Sequence, residues 1–122
     1  MKFELHVEIE ISCGVLHPDE ITKFINIEPT GIYVDEKHGE NTWKIISELP
    51  KDREFEDHVL CMLDVIEPAL ENFKTITSKY YTKLFCAIYR NEYFPSIYLN
   101  NEMLKKLADL NIHLDIDIYS LS

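Results

Sequence analysis

The chain has 122 residues, 46% of them apolar, and sets 22 Asp and Glu against 12 Lys and Arg for a formal net charge of −10. That length suits one domain, residues 1–122, with a core of its own, and the apolar share excludes a disordered chain. The acidic balance argues against nucleic acid and acidic membrane surfaces as partners, since both bind basic patches and none is visible.

No run approaches the roughly 18 apolar residues of a membrane-spanning helix. The opening MKFELHVEIEIS alternates acids where a secretion signal would have an unbroken apolar block. A soluble, cytoplasmic protein is expected. Phe3, Leu5, Val7, Ile9 and Ile11 alternate with polar residues, which predicts a strand with one wet face, ended at Gly14. His17-Pro18-Asp19-Glu20 opens a short helix with acids in its first turn, and Ile21, Phe24 and Ile25 are its expected buried side.

Residues 28–42 read as a long loop, and long loops are often functional or mobile. Trp43 opens a strand running to Ile46. Phe55, Val59, Met62, Leu63, Ile66, Leu70 and Phe73 then recur at helical spacing, with Pro68 forcing a kink or a fresh start near Glu67. His58, near the start of this acidic helix, reads as a surface residue. Lys83 to Tyr89 is apolar on both alternating sets, which predicts a strand covered on both faces. Ser96 to Leu99 reads as a shorter strand. Asn100 or Asn101 caps a helix with Met103, Leu104, Leu107 and Leu110 inward, and Asn111 suits its end.

The last stretch, IHLDIDIYS from Ile112 to Ser120, is another alternating strand. Its Ile112, Leu114, Ile116 and Ile118 should be buried, leaving His113, Asp115, Asp117 and Tyr119 on the other face. The expected fold is two-layer α+β: a mostly antiparallel sheet of about five strands with helices on one face.

HPDEITKFINIEPT (17–30), Trp43 opening the next strand, the long acidic helix and MLKKLADLNIHLDIDIY (103–119) together resemble a bacterial family, domain-of-unknown-function family 4279, over nearly the whole chain. Where related chains carry glycine, this one has Asn111, and its loop offers Lys37-His38-Gly39 rather than a Lys-Gly or Arg-Gly pair. The resemblance implies no catalytic residues. It does imply kinship with proteins encoded near secreted bacterial toxins, for which an immunity role has been proposed.

The chemistry-bearing residues are few. Cys13, Cys61 and Cys86 have no paired spacing and suit buried positions. The five histidines show no ligand spacing, and three scattered glycines cannot form a phosphate loop. No cofactor is expected. His113, Asp115 and Asp117 could hold a cation only with help from another element, such as His6, Glu8 or Glu10, if the first and last strands pair. Tyr80, Tyr81, Tyr89, Tyr93, Phe94 and Tyr98 gather around an expected late hairpin, with Tyr93 near its exposed tip, and could form a contact patch.

The leading expectation is a non-enzymatic binding protein, an acidic immunity protein that neutralises a basic toxin domain. Its expected partner-binding residues are Glu8, Glu10, His113, Asp115, Asp117, Trp43 and Tyr93. The rivals are a small regulatory or ligand-binding module using the 28–42 loop and Trp43 as a lid, and, more weakly, a metal-dependent hydrolase. An exposed strand edge would support a homodimer.

Overall fold

The computed structural model describes residues 3–120. Its longest strand, β1 (Phe3–Gly14), runs through the middle of the sheet and organises the rest. Leu5, Val7, Ile9, Ile11 and Cys13 all point to one side and are almost fully buried, as their alternation requires. Gly14 ends the strand at a positive φ of 61°, where a side chain would strain the backbone, and the pairing register shifts between Ser12 and Gly14.

Helix α1 (Pro18–Ile25) starts where the sequence signals it. His17 caps it by accepting from the Asp19 amide at 3.1 Å, Pro18 fills the first turn, and Asn26 closes it at φ 57°. Its Phe24 lies outward rather than in the core. The 28–42 segment contains a three-residue strand, β2 (Gly31–Tyr33), which pairs with β3 (Asn41–Ile46). Between them Asp35 holds a tight turn: its carbonyl accepts from Gly39 and its carboxylate from the His38 amide. Asn41 ties that turn to the carbonyl of Leu16 at 3.0 Å. The expected lid is thus a self-bonded turn.

Helix α2 (Phe55–Ile66) and helix α3 (Leu70–Thr77) are separated by one 3₁₀ turn at Glu67–Ala69, the break that Pro68 dictates. Strand β4 (Thr82–Arg90) lies beside β1, antiparallel to it. Helix α4 (Asn101–Asp109) is capped by the Asn100 side chain, which accepts from the Met103 amide at 2.9 Å, and Asn111 follows it at φ 53°. Its Leu104 lies outward, not inward. The final strand, β5 (Ile112–Ser120), runs parallel to β4.

The sheet order is β2-β3-β1-β4-β5, antiparallel except for the last pair. The protein is α+β, as expected. Helices pack on the odd-numbered side of β1, over a core whose largest fully buried side chains are Trp43, Phe55 and Phe73.

Several expectations yield here to tertiary packing. Ser96–Leu99 forms no strand, so no hairpin gathers the tyrosines. Strand β4 is fully covered on its helix side, whereas on the open side Ala87 is buried but Lys83, Phe85 and Tyr89 are half-buried or exposed. His58 is 1% exposed, inside the core. The aliphatic row of β5 is only half hidden: Ile112 and Ile116 pack against the core, whereas Leu114 is 50% and Ile118 is 56% exposed. Strands β1 and β5 do not meet, since β4 lies between them.

Candidate functional site

The even-numbered side chains of β1 stand on the sheet face away from the helices, and the strand registers decide what meets them. Glu10 is opposite Lys44 on β3 and Lys83 on β4. Lys83 is in turn opposite His113 on β5, and Phe85 is opposite both Glu8 and Asp115. Charge therefore alternates across the sheet: lysine from β3, carboxylates from β1, lysine from β4, carboxylate from β5. Cross-strand neighbours of opposite sign stabilise a sheet, and this order supplies them.

Glu8 is the most enclosed member, with its side chain 7% exposed. Its Oε2 lies 3.4 Å from Lys44 Nζ and 3.6 Å from His6 Nε2, yet receives no directed hydrogen bond. The Glu10 carboxyl is pushed above its usual range, first by partial burial and then by the Glu8 charge, against the pull of Lys83 and Lys44. Lys83 donates to Asp115 Oδ2 at 3.4 Å. Burial pulls the Lys83 ammonium down, but Glu10 and Asp115 outweigh it and its pKa ends raised.

Two aromatic stacks flank the charges. Tyr81 lies on His113, ring centroids 4.7 Å apart, and Tyr89 lies on Tyr119 at 5.2 Å. Asp117 holds the Tyr119 phenol proton: the carboxylate charge raises the phenol pKa, and the hydroxyl reaches Asp117 Oδ2 at 3.5 Å. Between Glu4, His6, Lys51 and Tyr89 the face dips into a shallow depression of about 300 Å³. The face as a whole sets five carboxylates (Glu4, Glu8, Glu10, Asp115 and Asp117) against three lysines (Lys44, Lys51 and Lys83).

The structure thus brings Glu8, Glu10, His113, Asp115 and Asp117 onto one surface. Trp43 is elsewhere. It is 0% exposed on the helix side, its indole N–H donating to Thr22 Oγ1 at 3.0 Å, so it is a core residue and not a contact or a lid. Tyr93 is exposed but lies in the strandless stretch beyond β4. There the Arg90 guanidinium sits 3.9 Å from the centroid of the Phe94 ring. Among the described residues no three His, Cys, Asp or Glu side chains converge as a metal site would require. His113 faces Tyr81, and Asp115 faces Lys83.

Residues 3–121 match the family described as Domain of unknown function (DUF4279). The chain belongs to that family. No curated protein and no solved structure matches it. Family 4279 membership therefore carries no assigned chemistry. Lys44, Lys83, Tyr81 and Tyr89 belong to the open face beside the acidic row of β5. Strict alternation along β3 and β4 carries both lysines and Tyr89 to the same side as Glu10. No helix of the described residues is long and apolar enough to cross a membrane.

Proposed function

We propose that this family 4279 protein is a non-enzymatic binding protein, an acidic immunity protein that neutralises a basic toxin domain by covering it with the open sheet face. The observation that carries the reading is a sheet face without a helix over it, negative in balance and flanked by stacked tyrosines. Large polar-tipped rings supply contact area, and the carboxylates supply attraction for lysine and arginine. The free protein already pairs part of this charge internally. A basic partner would meet Glu4 and Asp117 first, and then compete with Lys44 and Lys83 for Glu8, Glu10 and Asp115. Occlusion needs shape and charge and no reaction. The net charge of −10 extends the attraction beyond contact range.

The test is the association rate with a basic toxin domain encoded beside the protein, followed from about 50 to about 500 mM salt. Steering predicts a fall of about ten-fold or more across that range, and a slower low-salt rate for the Glu4→Lys, Glu10→Gln variant. A rate indifferent to both salt and substitution would reject the face as the recognition surface.

A further inference from the structure

The two edges of the sheet are unequal. β2 is three residues long, whereas β5 is nine and pairs with β4 without interruption from Ile112 to Ser120. Soluble proteins usually guard a long edge with lysine, proline, a bulge or a covering element, because half its backbone donors and acceptors face outward. IHLDIDIYS has no lysine, proline or glycine, and no register shift. Among the described residues no strand lies beyond it. Its helix-side row is also bare at Leu114 and Ile118, and Leu104 on the neighbouring helix α4 is 49% exposed. A long open edge, uncovered aliphatic side chains and two carboxylates therefore coincide on one strand.

We propose that the outer edge of β5 accepts a sixth strand from a partner protein: an extended segment in which lysine or arginine alternates with aliphatic residues. The period of two sets the basic residues opposite Asp115 and Asp117 and the aliphatic ones against Leu114 and Ile118. The inference rests on the binding reading above and adds where the partner docks and in what conformation.

A second copy of the chain is the poorer occupant. With both helix layers on one side, antiparallel pairing about Ile116 sets Asp115 against Asp117 twice. Sliding one strand by two residues either way sets Asp115, or Asp117, against its own copy. Like charges directly opposite destabilise a ladder, and the two chains repel as wholes. The aspartates thus discourage self-pairing while leaving the edge open to a basic strand.

The probe is a blocked peptide of about seven alternating lysines and valines, the length of an ordinary strand, titrated into the full chain with amide exchange read residue by residue. Expected are protection confined to the amides of 112–119, binding at least about ten-fold weaker at 500 mM than at 50 mM salt, and loss of binding in the Asp115→Lys, Asp117→Lys variant. On the unaltered protein, N-methylating alternate peptide nitrogens should abolish binding at unchanged charge. Equal binding of the N-methylated peptide, equal binding of a glutamate–valine peptide, or protection spread over β1 and β3 would overturn the proposal. So would sedimentation showing copies already paired through β5. A basic toxin domain bound with the β5 amides unprotected would overturn the edge and leave the binding function standing. Peptide pairing at β5 without any basic domain bound would support the edge and remove the immunity reading.

Discussion

His58 is a titratable group with no counterpart for a second charge. Its Nδ1 lies 2.6 Å from Ser47 Oγ, while Nε2 is buried with no hydrogen-bond partner. A neutral ring leaves one nitrogen unsatisfied, but a protonated ring would bury a charge as well. Burial accordingly lowers the His58 pKa below 6.5; the Asp57 charge and the Arg53 backbone oppose the effect, while the Arg53 charge adds to it. Unfolding restores the ordinary value, so below about pH 6.5 the unfolded chain binds more protons than the folded one. Stability is therefore full above that pH and declines as pH falls toward the depressed folded pKa, by at most about 1.4 kcal/mol per pH unit for this one site. Glu10 acts in the opposite sense: its raised pKa makes ionisation costly in the fold, so its contribution declines as pH rises above about 4.5. Comparing urea unfolding at pH 7.5 and 5.5 for the unaltered protein and His58→Leu isolates the histidine. The variant should lose less stability on acidification, and equal losses would place the acid sensitivity elsewhere.

At the scale of elements, local signals specified boundaries well where one residue does the work. Asn100 is such a case, since its side chain meets the otherwise unpaired Met103 amide. Asn100→Ala should cost about 1 kcal/mol, read as a lower denaturation midpoint with unchanged urea dependence; Asn100→Ser should recover most of it. The alternation of β1, the His17-Pro18 start, the Pro68 break and the positive-φ Asn111 were legible in the same way. Elements that depend on a distant partner were not. β2 exists because β3 offers an edge to it, with the Thr30 amide donating to the Lys44 carbonyl and the Thr30 hydroxyl accepting from the Ile46 amide. Ser96–Leu99 has strand-like residues but pairs with no strand. His58 was legible after all: it stands three residues after Phe55 and four before Met62, on the buried stripe of α2. The β5 acids announced the open face, but the burial of Glu8 did not show, because it depends on Lys44 and Phe85 from the strands on either side. Trp43 shares the parity of Ile45, and only the register opposite Ile11 and Ile9 fixes that row in the core.

At the scale of the whole molecule, two electrostatic effects compete when salt is added. Screening weakens the ion pairs of the open face, Lys83 with Asp115 more than Lys44 with the enclosed Glu8. It also relieves the mutual repulsion of a chain with ten excess negative charges. Exposed and half-exposed pairs are worth about 0–1 kcal/mol each, whereas repulsion acts between every unpaired carboxylate within reach of a Debye length, about 10 Å at 0.1 M. Four further carboxylates stand on helix α2 and the turn after it (Glu56, Asp57, Asp64 and Glu67), and among them only Asp57 has an ion-pair partner given by the structure, Arg53 at 3.2 Å. Repulsion should therefore win, and the melting temperature should rise between about 20 and about 500 mM sodium chloride, by roughly 4 °C for each kcal/mol relieved. Association with a basic domain should slow over the same range, because the field that destabilises the fold is the one that steers the partner. Calorimetry and stopped-flow on one salt series would show the two trends diverging. A melting temperature that falls with salt would mean that the ladder of paired charges on the open face, rather than the excess charge, dominates the molecule.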